Sequence, residues 1–162
     1  MRIKWFSLIR ITGLLLVLLY HFFQTIFPGG FFGVDVFFTF SGFLITSLLL
    51  EEFSQKGEID IIGFFRRRFY RIFPPVVMMV LVIMPFTLMV RQDYVAGIGA
   101  QIAGVLGFMT NFYEMLTGGS YESQFIPHLF VHNWSLAVEV HYYILWGLAV
   151  WILSKRYKTS GQ

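Results

Sequence analysis

The sequence predicts an all-α membrane protein, a polytopic bundle of four to five transmembrane segments. Of its 162 residues, 57% are hydrophobic and only 13% are charged. The apolar residues also gather into runs close to the roughly 20 residues that a helix needs to cross a bilayer. The chain contains no cysteine. A disulfide framework, a cysteine-based zinc site and a thiol nucleophile are therefore excluded.

Five apolar segments compete for the membrane, separated by polar or turn-forming stretches. They are residues 5–27, 31–50, 74–90, 94–112 and 134–153. The stretch Pro28-Gly29-Gly30 is a turn signal between the first two segments. The pair Pro74-Pro75 suits the first turn of the third helix, and Pro85 predicts a kink within it.

The first and fourth segments need separate interpretation. The first is longer than the apolar core of a signal peptide and no small-residue cleavage site follows it before Phe27, so we expect it to stay in the protein. The fourth is diluted by four glycines and a glutamine. It is expected to be re-entrant or interfacial rather than a full crossing. Residues 154–162 form a short polar tail after a membrane domain over 1–153.

Positive charges predict the orientation. The stretch 51–73, read as a loop, holds the densest positive run and is predicted to be cytoplasmic, together with the N-terminus. Its basic residues are Lys56, Arg66, Arg67, Arg68 and Arg71. If the fourth segment does not cross, the basic tail around Lys155 also returns to the cytoplasm. Five full crossings would leave that tail outside, so we favour four crossings and a multi-pass protein of the cell membrane.

Ionisable residues inside apolar segments suggest a functional site, because a charge at membrane depth is costly. Arg10 and His21 are eleven residues apart, which places them on one face of the first helix, roughly 16 Å apart along its axis. Asp35 lies near the outer end of the second segment, at a depth similar to that of His21. With four crossings Glu139 falls in the same outer zone, whereas with five it would lie near Arg10.

Four blocks of sequence, in order, resemble the membrane O-acyltransferases called acyltransferase family 3. They are Arg10 with His21 on the first helix, "GGFFGVDVFFTFSGFLIT" at 29–46, "RRRFYRIFPP" at 66–75 and "NWSLAVEVHYY" at 133–143. The finer similarity is to bacterial enzymes that O-acetylate peptidoglycan. The resemblance implies transfer of an acyl group, expected to be acetyl, from cytoplasmic acetyl-CoA to a hydroxyl of a cell-wall or surface glycan outside.

Roles for single residues follow from this chemistry. The resemblance implies that Arg10 positions the acyl donor. Arg68 and Arg71, at i and i+3 on a helix, can face one ligand, and their forked donors match the phosphates of CoA. A neutral His21 can accept the hydroxyl proton, with Asp35 fixing its tautomer.

Glu139 is assigned to orient His21 or the acceptor. Tyr142 and Tyr143, three and four residues further along its helix, would act as hydrogen-bond donors. The histidines at 128, 132 and 141 lack convincing metal-ligand spacing, so no metal is expected.

The chain looks like the N-terminal part of a larger bundle. Members of the family usually have about twice as many membrane helices, and the peptidoglycan branch often adds an extracellular domain. Expected partners are therefore acyl-CoA, the glycan acceptor, the bilayer and the missing half or that domain; no nucleic acid is expected. Activity of this chain alone is doubtful on this view.

Other interpretations stay open. Arg10 can snorkel to the interface, His21 can hydrogen-bond a backbone carbonyl, the arginine cluster can serve only to orient the protein, and Glu139 can belong to an interfacial aromatic belt. Together the ionisable residues could instead form the ion or proton path of a small transporter or channel subunit. A non-catalytic membrane fragment is a third alternative.

Overall fold

A computed structural model describes residues 4–90, 97–117 and 129–160, and these residues are predominantly helical. The helices are α1 (Lys4–Phe22), α2 (Phe32–Lys56), α3 (Ile61–Val90), α4 (Ile98–Leu106), α5 (Thr110–Thr117) and α6 (Trp134–Ser160), with 3₁₀ turns at Pro28–Phe31 and Val131–Asn133. Three stretches are long and apolar enough to cross a membrane, Pro28–Lys56, Ile61–Thr87 and Val131–Lys158, and Ile11–Phe22 is a shorter apolar helix. The predicted all-α membrane bundle is confirmed.

The helices form two compact units, and α1 and α2 make up the first, Met1–Gly57. The predicted turn is a 3₁₀ turn over Pro28–Phe31. Glycine is required just after it, because a Cβ on Gly33 would lie only 2.8 Å from Val17 Cγ2 and 3.2 Å from Leu16 Cβ. The absence of a side chain at Gly33 lets the two helix backbones approach closely.

The arginine-rich stretch is helical, so the predicted loop over 51–73 was wrong. Helix α2 continues to Lys56 and ends at Gly57, which has a left-handed backbone (φ 70°). Asp60 Oδ1 then accepts a hydrogen bond of 2.9 Å from the Gly63 backbone N–H, which caps the start of α3. Only a few residues therefore connect α2 to α3, and the arginines lie on α3.

Helix α3 also corrects the predicted start of the third segment. It begins at Ile61 and continues through Pro74 and Pro75 instead of starting there. Proline removes a backbone donor, but it is tolerated in apolar helices where neighbouring groups compensate. The proline pair alone thus misplaced the helix start.

In the second unit, Glu58–Gln162, α3 and α6 run antiparallel. The Phe64 ring lies 3.1 Å from where a Cβ on Gly147 would be, and the Arg68 guanidinium lies over the Tyr143 ring. Further along, the side-chain amide nitrogen of Asn133 lies 4.0 Å from Met79 Sδ. Residue numbers thus rise along α3 as they fall along α6. A buried cluster of Val76, Val80, Val105 and Phe130 packs the far end of this pair against α4.

Helix α4 does not form a full crossing. Its nine residues make it about 14 Å long at 1.5 Å per residue, roughly half the apolar thickness of a bilayer. A turn then follows, in which Phe108 N–H donates to Val105 O (3.2 Å) and Met109 N–H donates to Gly104 O (2.7 Å). This supports the interpretation of the fourth segment as a partial one; residues 94–96 of that segment lie outside the described residues.

The antiparallel pair gives a test of membrane orientation. The arginine-bearing start of α3 and the basic end of α6 point the same way, so both are expected on the cytoplasmic side. Because the chain has no cysteine, Ser160→Cys creates a single thiol. A membrane-impermeant thiol reagent should label it only after cells are opened.

The control is a thiol that is expected on the outer side of the membrane. Gly29 is exposed and a Cβ there would meet nothing closer than 3.9 Å, so Gly29→Cys should be labelled on intact cells. Labelling of Ser160→Cys on intact cells would contradict this orientation of the α3–α6 pair.

Candidate functional site

The guanidinium of Arg68 lies between two aromatic rings. Its Cζ atom is 5.6 Å from the centroid of Phe64 and 5.5 Å from the centroid of Tyr143. Both rings are buried, with 3% and 7% of their surfaces exposed, and Arg68 itself is half-buried. A guanidinium over ring faces at this distance is attracted to their negative electrostatic potential, more strongly where water is excluded. The two rings therefore hold the cation at the α3–α6 interface.

The carboxylate of Glu139 is tied to the same place. Tyr143 Oη donates a hydrogen bond to Glu139 Oε1, one turn earlier on α6. Glu139 is half-buried, and a hydrogen bond to a charged acceptor is stronger than one between neutral groups. Tyr143 thus contacts Arg68 with its ring and Glu139 with its hydroxyl. We call Phe64, Arg68, Glu139 and Tyr143 the arginine cluster of α3–α6.

The arginine cluster of α3–α6 lies at the middle of the apolar run of α6. That run extends from Trp134 to Leu153, and the basic residues begin at Lys155. Tyr143 is at its midpoint, and Arg68 is level with Tyr143. Arg68 is therefore displaced by about 18 Å along the helix axis from the basic end of α6. Measured along α6, Arg68 therefore does not lie with the basic residues at the end of that helix.

A cavity of about 350 Å³ adjoins the cluster. Its apolar wall is formed by Phe65, Phe69 and Ile72 of α3, Val140 and Ile144 of α6, and Phe108 between α4 and α5. Arg68 and Tyr143 also line it, and among its described lining residues Arg68 alone carries a charge. The cavity can thus accept an apolar group, with the Arg68 side chain as part of its wall.

His21 lies in the first unit, near the end of α1. Its Nδ1 atom is 2.8 Å from Val17 O. A carbonyl oxygen only accepts hydrogen bonds, so Nδ1 carries the proton and Nε2 is the basic nitrogen. The backbone carbonyl of Val17 therefore fixes the tautomer of His21, a role that the sequence analysis assigned to Asp35. The T-shaped contact with the Tyr20 ring, at 5.4 Å, further orients the imidazole.

Asp35 is not placed beside His21 by the packing of α1 against α2. Gly33 faces Gly13, Leu16 and Val17, which lie one to two turns before His21. Asp35 follows Gly33 by two positions, about 200° around the helix, and is exposed. Direct pairing of the two side chains is therefore not what this unit shows.

The remaining predicted residues are placed differently. Arg71 is exposed, unlike Arg68. The backbone of Arg10 belongs to α1, but its side chain lies outside the described part of the chain. The structure thus joins Arg68 and Glu139 through Tyr143 within one unit, while Arg10, His21 and Asp35 belong to the other. Their roles remain predictions.

Sequence reasoning missed Phe64 and Phe108. Phe64 stands four residues before Arg68, the spacing at which side chains on a helix meet, so this contact could have been predicted. Phe108 carries no such signal. It follows Gly107, the residue that sequence rules would choose for the left-handed position after a helix.

Comparison with known proteins identifies a family for this chain. A family model described as an acyltransferase domain, that of acyltransferase family 3, matches residues 3–160. The O-acetyltransferase OatA of Staphylococcus aureus (strain NCTC 8325 / PS 47) is 32% identical over 150 residues, which cover 93% of this chain and 25% of the relative. A second protein of S. aureus (strain COL), provisionally named an O-acetyltransferase, is 34% identical over 154 residues, covering 93% of the chain and 26% of the relative.

No solved structure matches the chain. The chain spans about a quarter of the length of the curated relatives it matches. The family model nevertheless extends over nearly all of it, including α1, both transmembrane helices of the arginine cluster and the blocks that carry the resemblance. This chain belongs to acyltransferase family 3.

Proposed function

We propose that this chain forms the donor-binding part of a membrane O-acyltransferase. The enzyme would transfer acetyl from cytoplasmic acetyl-CoA to a hydroxyl of a cell-wall or surface glycan, with peptidoglycan as the expected acceptor. The observation that carries the proposal is the charged Arg68 beside an apolar cavity, in a chain that an acyltransferase family model covers over residues 3–160. The names of its relatives, both O-acetyltransferases, support the acetyl group.

Donor binding is assigned to α3. Arg66, Arg67 and Arg71 are exposed and can offer charge-assisted hydrogen bonds to the phosphates of CoA. Arg68 contributes to the wall of the apolar cavity. Arg10 is proposed to assist from α1. An apolar cavity beside these donors would protect a thioester from hydrolysis by excluding water.

The acceptor is activated by His21 in this proposal. Its basic Nε2 removes the proton of the glycan hydroxyl while the oxygen attacks the thioester carbonyl. The C–S bond then breaks, CoA leaves as its thiolate, and the new ester remains on the glycan. The proton on His21 is passed on to regenerate the base. The hydrogen bond of Nδ1 to Val17 O leaves Nε2 for this role in the neutral imidazole, but the structural interpretation of His21 predicts the same bond, so the role rests on the motif that the family resemblance provides.

Glu139 and Asp35 are proposed as supporting groups. Glu139, held by the Tyr143 hydroxyl, provides negative charge near Arg68 or orients the acceptor. Asp35, exposed at the start of α2, is available to the acceptor rather than to His21. The remainder of a larger enzyme, as in the longer relatives, is expected to complete the acceptor site.

The rival is a transporter or channel subunit in which the same ionisable residues carry ions or protons. A proton path needs no CoA-binding arginines, so donor binding separates the two. Labelled acetyl-CoA should bind the purified chain in detergent or nanodiscs, and unlabelled CoA should compete. Absence of binding that unlabelled CoA competes for would contradict the proposal.

The arginine pair offers a first prediction. Replacing Arg68 and Arg71 with Gln removes two charged guanidinium groups and leaves shorter, neutral amide donors. Affinity for acetyl-CoA should fall by on the order of tenfold to a hundredfold, since one or two charge-assisted hydrogen bonds are lost. Binding is measured by competition with labelled acetyl-CoA.

A matched control replaces both Arg156 and Lys158 with Gln, which removes two charges from the exposed end of α6. It should leave affinity close to that of the unaltered chain. Equal affinities for acetyl-CoA in the unaltered chain, the α3 variant and the control variant would mean that the α3 arginines serve only to orient the protein in the membrane.

His21 offers a second prediction. His21→Ala in the complete enzyme should lower glycan acetylation by at least about a hundredfold, because general base catalysis is lost. Binding of acetyl-CoA should persist, since His21 is assigned to the acceptor step. His132→Ala changes an exposed histidine near the start of α6 and serves as the control. Near-normal acetylation by His21→Ala would remove His21 from the mechanism.

A further inference from the structure

Phe108 occupies a backbone position that usually belongs to glycine. Its φ angle is 54°, in the left-handed region. The bonds from Phe108 N–H to Val105 O and from Met109 N–H to Gly104 O are those of a Schellman motif, in which the residue after the C-cap is left-handed and most often Gly. Gly107, just before it, has an ordinary helical backbone (φ −84°). A bulky side chain is thus kept where the backbone disfavours one.

The position of the Phe108 side chain can account for this left-handed backbone. It lines the cavity beside Arg68, and its ring lies 6.4 Å from the ring of Phe73. Phe73 is more than one turn beyond Arg68 along α3, on the side away from the start of that helix. Phe108 therefore stands at the end of the cavity opposite to Phe65. Residues in disfavoured backbone conformations are often found at binding sites, where the conformation aims a side chain.

We propose that Phe108 is the end wall of the acyl pocket and restricts the donor to short acyl groups. The proposal rests on the proposed function, since it takes an acyl-CoA as the ligand. An acyl chain has no polar atom beyond its carbonyl, so its carbons suit the apolar wall. A group that enters past Arg68 meets the Phe108 ring after a few carbons.

The Schellman geometry makes a clean test available. Phe108→Gly places the favoured residue at this position, so the backbone should be retained while the ring is removed. The unaltered chain and the variant are each reconstituted in nanodiscs, and acetyl-, butyryl- and hexanoyl-CoA compete with labelled CoA. The affinity ratio of hexanoyl-CoA to acetyl-CoA should rise by on the order of tenfold or more in the variant, since each buried methylene adds to binding.

Two further variants keep the outcome interpretable. Phe108→Leu shortens the side chain and should raise the affinity ratio of hexanoyl-CoA to acetyl-CoA by a smaller amount. It tests the proposal if Phe108→Gly fails to fold. Phe86→Ala changes an exposed phenylalanine of α3 that is not among the cavity residues, and its ratio should equal that of the unaltered chain.

The possible outcomes separate this proposal from the proposed function. Binding of acetyl-CoA with an unchanged chain-length ratio in both Phe108 variants would overturn the end wall alone. It would also indicate that the cavity holds something else, such as a lipid chain. Absence of CoA-competed binding to the unaltered chain would overturn the proposed function.

Discussion

The guanidinium of Arg68 between the rings of Phe64 and Tyr143 is the interaction on which the site depends. Moving a charged guanidinium from water into a helix–helix interface costs free energy unless other groups compensate. Two buried rings offset part of that cost, and Glu139, held by the Tyr143 hydroxyl, brings negative charge nearby. Because the rings come from both helices, the cation can be accommodated only when α3 and α6 pack antiparallel in this register. Packing and charge therefore specify the same arrangement.

The same arrangement explains why a binding site arises there. Arg68 and Tyr143, which hold the two helices together, also line an apolar cavity. The break between α4 and α5 supplies the remaining wall through Phe108, whose left-handed backbone costs about 1–3 kcal/mol. Such a cost persists where the surrounding structure fixes the residue. Here the buried cluster around Val105 and Phe130 fixes α4 against α3 and α6.

Sequence reasoning predicted the fold class and the partial fourth segment, because these follow from hydropathy and glycine content. It misplaced the start of α3, since Pro74 and Pro75 read as a helix start although α3 passes through both. It paired Asp35 with His21 by depth alone, without the glycine contacts that set the register of α1 and α2. It could not find Phe108, because a positive φ at a phenylalanine has no signature in sequence.

The location of the acyl group is the central claim, and photolabelling tests it most directly. An acyl-CoA with a diazirine in a short acyl chain is bound to the chain in nanodiscs and illuminated, and the labelled peptides are identified by mass spectrometry. The account predicts label within 64–73, at Phe108 or within 139–144, and loss of that label when unlabelled acetyl-CoA is in excess. Competable label confined to α1 and α2, with none on these residues, would contradict it.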